Sequence, residues 1–538
     1  MKRFKLILSF TMLVLLSLTG CGSDVTHREP DEKSSKHFIL TGYPGNTLKI
    51  ASGSENAVFN DLIEKYANEN QQNIRIDYLG SLEQMNIIRD PDSDYDAVWP
   101  ASSIWINMAN ALKNVKHDEV TSISPVVFGI KESKAKELGF YGKEVSTRKI
   151  LDAIRDNQLK FTMTSATQSN SGASAYLAFL TALNGRTLTE EDLHREELTS
   201  DIVSLLSGVE RSSGSSNFLV ELFVNGDYDA MVNYEQLVIQ ANEQLAEKKK
   251  EPLYIIYPSD GLSISDSTLA YLDHGDSEKE DAFLKFEAYL LDDRTQSEIE
   301  KTGKRNKDSG VRESNRKIFE KWGADLDRTL NTIRYPKAEV LSEALSLYQS
   351  EFKKPSFTVY VLDYSGSMQG DGYNEMIDAL ENVLLPEKAR QNLLLGGEED
   401  RTYIIPFSSE VMDIAGAKGN AHEPEELFTK AKKYPVEGNT ALYEAAMEAL
   451  DLVNRDADPT IYQPSIILLT DGIANGDMGI RELTEKYKKI GKDIPIYSIM
   501  FADSDDEELQ KIAELTHAKV FDGRINLIKA FKEVRGYN

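Results

Sequence analysis

The chain has 538 residues, with 61 lysines and arginines against 88 aspartates and glutamates, so its formal net charge is −27. That length holds about two to four domains, and a 41% hydrophobic share excludes a collagenous or wholly disordered chain. The acidic balance argues against nucleic acid as a partner, because sequence-independent binding needs Lys and Arg on the phosphates. One cysteine excludes an internal disulfide and a cysteine zinc cluster, and none of the seven histidines stands four residues from another.

Lys2, Arg3 and Lys5 precede an apolar run from Leu6 to Leu18. This is the pattern of a secretory signal, and the run is too short to span a bilayer well. It ends at Leu18-Thr19-Gly20-Cys21, which resembles the bacterial lipobox. The resemblance implies a lipoprotein signal peptide over residues 1–20, lipidation of Cys21, and a lipid anchor on the extracytoplasmic face of the cell membrane. No later stretch reaches the ~18 apolar residues of a membrane-spanning helix. Outside the cytoplasm there is no ATP pool, which argues against an ATP-driven function. Residues 21–46 are polar and without a helical or strand period, so they read as a flexible tether.

From Thr47 short β-rich runs alternate with amphipathic helices. Leu48–Ala51, Ile74–Tyr78, Tyr95–Trp99, Val126–Ile130 and Leu253–Tyr257 read as strands, and Asn56 to Asn68 as a helix. Such alternation predicts an α/β architecture with mostly parallel sheets. The first module is expected over residues 47–301, a charged helical connector over 302–354, and a second module over 355–538. The second module opens on Phe357–Leu362, an apolar run buried on both faces. It continues with strands at Thr402–Ile405, Ser465–Leu469 and Pro495–Ile499, and with helices at Ala441–Val453 and Asp506–Leu515.

Three polar clusters fall where strands of the second module end or a helix begins: Asp363-Tyr364-Ser365-Gly366-Ser367, Gly438-Asn439-Thr440 and Thr470-Asp471-Gly472. Ligands of open parallel sheets bind outside the carboxyl ends of the strands, so these loops are expected to converge. Two carboxylates and three hydroxyls without His or Cys suit Mg²⁺, or Mn²⁺ and Ca²⁺ in its place. Asp-x-Ser-x-Ser with a distal Thr and a distal Asp is similar to the metal-ion-dependent adhesion site of von Willebrand factor A (VWA) domains, over Phe357 to about Val534. The resemblance implies that Ser365 and Ser367 contact the metal, that Thr440 joins in the ligand-bound state, and that Asp363 and Asp471 act largely through water. It also implies that a protein partner completes the octahedron with an acidic side chain. Gly372, Gly396 and Gly397 read as loop residues, since no G-x-x-x-x-G-K-S/T occurs.

In the first module, small polar loops precede helices at Ser52-Gly53-Ser54, Ala101-Ser102-Ser103, Ser169–Ser174 and Asn233-Tyr234-Glu235. Helix starts of this kind can hold an oxyanion without formal positive charge, or can be ordinary caps. The order of Tyr95–Pro100, Ser124–Ile130, Ser169–Ser174 and Asp229–Tyr234 resembles type 2 extracytoplasmic solute-binding proteins, especially the molybdate-binding-like branch, over about Lys49 to Lys301. That resemblance implies two lobes joined near Val126–Ile130 and Leu253–Tyr257, with Ser54, Ser103, Ser171 and Tyr234 lining a cleft for a small oxyanion solute. No nucleophile elbow, His-Glu-x-x-His or P-loop occurs, so a non-enzymatic role is expected. The leading expectation is a surface lipoprotein that binds a protein through its metal site. The alternative is the receptor of an ABC permease with an accessory VWA domain.

Overall fold

The computed structural model describes residues 27–537 apart from 35, 110–112, 392–393, 472–473, 502–505 and 525. The expected signal peptide and Cys21 lie outside the described residues. The chain is a mixed α/β protein with three sheets, two in the first module and one in the second.

The first lobe carries a seven-stranded mixed sheet in the order Glu32–Lys33, His37–Leu40, Asn73–Tyr78, Thr47–Ser52, Ala97–Trp99, Thr268–Leu272, Val115–Val120. The second lobe orders Leu253–Ile256, Ser124–Lys131, Ala230–Tyr234, Phe161–Thr164 and Val209–Ser213. The chain passes between the lobes before Ser124 and again between Ile264–Ser265 and Thr268. In the second lobe the helix Asn170–Asn184 is buried along its first three turns and stopped by Gly185 at φ 75°, a left-handed cap that costs glycine little. At Gly172 a Cβ would stand 2.2 Å from the Thr164 carbonyl oxygen, so this helix start packs backbone to backbone on the neighbouring strand.

Two expectations need correction. The segment expected as a tether contains the strand His37–Leu40, paired antiparallel with Asn73–Tyr78, with Phe38 and Leu40 fully buried. Four residues carry too little period to reveal a strand whose partner is some 35 residues away. The connector, expected to be helical, has only Arg316–Glu320 and Ala338–Leu347 as α-helices, followed by a wide turn at Tyr348–Phe352. It does not act as a spacer. Leu341, Ala344, Leu345, Tyr348 and Phe352 join the core of the second lobe, and Arg305 forms a buried ion pair with Glu235 at 2.7 Å.

The third sheet runs Ala415–Lys418, Arg401–Phe407, Ser356–Asp363, Gln463–Thr470, Ile496–Met500, Val520–Asp522, parallel except at the first pairing. All eight residues of Ser356–Asp363 are buried, because helices cover both faces. Phe357, Val359 and Val361 pack with the helix Leu442–Asp456 on one side, while Tyr360 and Leu362 pack with Asp371–Leu384 and Leu527–Arg535 on the other, the period of two expected of a strand.

The second lobe meets this sheet at the amino ends of its outer strands. Arg211 of the second lobe is 3% exposed; it pairs with Asp493 at 2.6 Å and donates to the His517 carbonyl at 3.0 Å. Tyr228 donates to the other oxygen of Asp493 at 2.6 Å, and the rings of Phe218 and Tyr537 meet edge to face at 5.7 Å. Contact with the first lobe includes the Lys529–Glu83 pair at 3.1 Å.

Candidate metal centre and interlobe cleft

The carboxyl end of Ser356–Asp363 delivers Asp363 into a fully buried position. Its Oδ1 accepts from the Ser365 amide at 2.7 Å and its Oδ2 from the Thr470 hydroxyl at 2.6 Å. The Ser365 and Ser367 hydroxyls lie 3.0 Å apart, and Ser367 donates to Asp471 at 2.8 Å. Asp363, Ser365, Ser367 and Asp471 thus form one hydrogen-bonded arc, with Ser367 at its exposed rim. Thr440 is buried on the neighbouring loop and makes no direct bond to that arc among the bonds described. The two loops are stitched instead by backbone: the Gly366 amide donates to the Gly438 carbonyl at 3.1 Å. Gly438 has φ 88°, and a Cβ there would stand 2.6 Å from Ser409 Oγ, so both conformation and space demand glycine.

Two further residues belong to the site: Thr470, which the sequence places in the third polar cluster but not in the ligand set, and Asn475, which it does not single out. Asn475 Oδ1 accepts from the Thr440 amide at 2.6 Å, and its own amide donates to the Thr440 carbonyl at 3.0 Å. This clamp ties the Thr440 loop to the Asp471 loop. The signal for Thr470 was its place on the strand end beside Asp471; Asn475 had none, since its partner is 35 residues away.

The donor set fits a hard cation. Burial pushes the Asp363 carboxyl up to about 6; Thr470 and Ser365 oppose this by hydrogen bonding, and the Asp471 charge reinforces it. None of these influences on Asp363 is a cation, and among the bonds described the two neighbouring carboxylates meet hydroxyls and an amide. Among the described residues no three His, Cys, Asp or Glu side chains cluster. The hydroxyls of Ser365, Ser367 and Thr440 would therefore supply the remaining protein ligands, as oxygen coordination of Mg²⁺ allows.

The cleft of the first module departs from the expected anion site. A cavity of about 2,090 Å³ lies between the lobes and extends to the second module, with Ser54, Trp105, Asn170 and Asn217 on its walls and Lys529 and Tyr537 on the far side. Of the four expected cleft residues, Ser54 alone lines this cavity. Ser103 is held by Asp266, which accepts from its amide at 2.9 Å and from its hydroxyl, and from Ser102 Oγ at 2.9 Å. A carboxylate of the chain itself thus takes the place an oxyanion was expected to fill. Ser171 is buried in a hydroxyl cluster, 2.7 Å from both Thr164 and Ser216. Tyr234 is buried behind Asn170, whose amide donates to its hydroxyl at 2.9 Å while its carbonyl accepts from Trp105 Nε1 at 2.6 Å. That Trp105–Asn170 bond and the Asn217 donation to the Ser54 carbonyl at 3.4 Å join the two lobes across the cleft.

Residues 48–305 match the family profile described as bacterial extracellular solute-binding protein, and residues 359–529 match that of the von Willebrand factor type A domain. The chain pairs a solute-binding domain with a VWA domain. Solved structures similar to it include a ferric binding protein from Campylobacter jejuni (13% identity, 56% of this chain and 98% of that chain, TM-score 0.43). Another is the periplasmic binding protein AfuA from Actinobacillus pleuropneumoniae (12% identity, 56% and 97%, TM-score 0.42). No curated protein matches the chain. Among the described residues no helix is long and apolar enough to cross a membrane.

Proposed function

We propose that this chain is a lipid-anchored, extracytoplasmic binding protein, not an enzyme, whose VWA domain holds Mg²⁺ (or Mn²⁺ or Ca²⁺) and through it an acidic side chain of a protein partner. The observation that carries this reading is the arc of Asp363, Ser365, Ser367 and Asp471 on the carboxyl edge of the third sheet. The second lobe of the solute-binding domain is docked at the opposite, amino end. A metal held on this arc supplies a Lewis-acidic position for a carboxylate. The chain's own residues set the rest: Asp363 fixes the loop through the Ser365 amide, Ser367 links the two carboxylate loops, and the Asn475 clamp keeps Thr440 beside them. The cleft of the first module would sense a small solute.

Service as an ABC-permease receptor is the weaker reading. The VWA domain walls the same cavity as the two lobes, so handing a solute to a permease would first require that domain to move aside. Calorimetric titration of Mn²⁺ into wild type and Asp363→Ala tests the metal site. Wild type should take up one ion, and the variant should take up none at an unchanged melting temperature or a higher one. Uptake of no divalent metal by wild type, even with an acidic peptide present, would refute the reading.

A further inference from the structure

We infer that the interlobe cleft takes a neutral, hydroxyl-bearing solute, a sugar or a polyol, with the Glu55 carboxylate as its principal acceptor. This rests on the reading of the cleft as a solute site. Glu55 lies in the helical turn Ser54–Phe59 and lines the cavity together with Gly53 and Ser54, while being 8% exposed. Its Oε1 is buried and has no hydrogen-bond partner. A buried charged acceptor left without a donor is costly, so this atom marks where a bound molecule supplies one. The carboxylate folds back over Gly53, where an added Cβ would stand 2.1 Å from Oε1. The glycine therefore makes room for the acid to sit against the cleft wall.

The charge of the ligand follows from Lys304. Its buried ammonium donates to Asn56 Oδ1 at 2.8 Å and lies 4.8 Å from the centroid of the Phe59 ring. It acts on Glu55 through space without satisfying Oε1: burial raises the Glu55 carboxyl, while the Lys304 charge and a bond from Glu55's own backbone amide oppose that rise. Acid and ammonium together leave this end of the cleft electrically balanced. An anion here would face a buried carboxylate, and a cation would meet the charge of Lys304, whose ammonium is buried off the cavity wall. A hydroxyl donor completes the acceptor without adding an unpaired charge to the interior. The nearby walls suit the same molecule. Ser169, Asn170, Ser216 and Asn217 line the cavity from the second lobe, and Tyr78 and Trp105 from the first. The helix start at Ser103, where an anion was expected, is already occupied by Asp266.

The full chain in detergent is to be titrated, by thermal shift and calorimetry, with three sets of probes. The sets are glucose, maltose and myo-inositol; molybdate, sulfate and phosphate; and choline and putrescine. At least one neutral probe should bind saturably and raise the melting temperature, while the anions and amines do neither. Glu55→Gln should weaken that binding by about 10-fold, and the charge-balanced pair Glu55→Ala with Lys304→Met by about 100-fold. Melting of the unliganded variants shows that they fold. Saturable binding of an anion or an amine, with none by the neutral set, overturns the ligand class but leaves the cleft a solute site. Binding by no probe overturns both readings, and unchanged affinity in Glu55→Gln removes Glu55 as the acceptor.

Discussion

Replacing Arg211 by Leu should loosen the docking of the VWA domain without unfolding either module. The guanidinium is almost fully buried and makes two charge-assisted bonds across the junction, to Asp493 and to the His517 carbonyl. Each such bond contributes about 1.5–3 kcal/mol. Leucine keeps part of the packing, and Asp493, whose side chain is 38% exposed, can return to water while still accepting from Tyr228. The net loss then comes to about 2 kcal/mol, or ~30-fold in the ratio of docked to undocked chains. Small-angle scattering should show a larger radius of gyration, and proteolysis near Lys353-Lys354-Pro355 should accelerate by a similar factor. Calorimetry should resolve two transitions where wild type gives one. Scattering and proteolysis both indistinguishable from wild type would refute the view that Arg211 holds the junction.

The remaining predictions concern other parts of the chain. Glu287 is pushed up to about 7 by burial first, with the charges of Glu119 and Asp118 adding to the rise and that of His117 opposing it. Because its folded value exceeds the usual 4.5, its share of stability is present at low pH and is lost as pH rises through about 7. Glu287→Gln should therefore stabilise more at pH 8 than at pH 5, by about 1 kcal/mol after allowance for solvent screening; an equal change in melting temperature at both pH values would refute this. Cys21→Ala should leave an unprocessed precursor that accumulates in place of the detergent-partitioning mature chain, and normal processing of that variant would refute lipidation at Cys21.

Much of the hydrogen-bonded arc was legible because its chemistry is local. Asp363, Ser365 and Ser367 sit within five residues, directly after an apolar run that only a doubly covered strand explains. Asp471 follows a second such run. What stayed hidden depends on partners distant in sequence. Asn475 reveals its role only once the Thr440 loop is in place, and Arg211 only once Asp493 is brought to it from 282 residues away. The strand His37–Leu40 shows itself only when Asn73–Tyr78 lies alongside. The cleft misled for a related reason. A small polar loop before a helix looks the same whether it awaits an anion or is capped from elsewhere, and Asp266 caps Ser103 from 163 residues further along. Glu55 drew no attention because an acidic residue in a first helical turn is ordinary; its unpartnered oxygen is a property of the folded cleft.

The second lobe grips the third sheet at its amino ends, and the candidate metal loops lie at its carboxyl ends. Between the two lie strands such as Ser356–Asp363, eight residues long and buried throughout, which span about 26 Å and deform little. Any message between solute and partner would then travel as a tilt of the whole domain on its Arg211 and Tyr537 footing, with the geometry of the metal loops carried along unchanged. On the proposed reading, a solute would alter where the carboxyl end of the sheet points and how freely it reaches a partner, leaving its intrinsic grip on a carboxylate the same. Avidity on a crowded surface, and not affinity in dilute solution, would be the quantity it tunes.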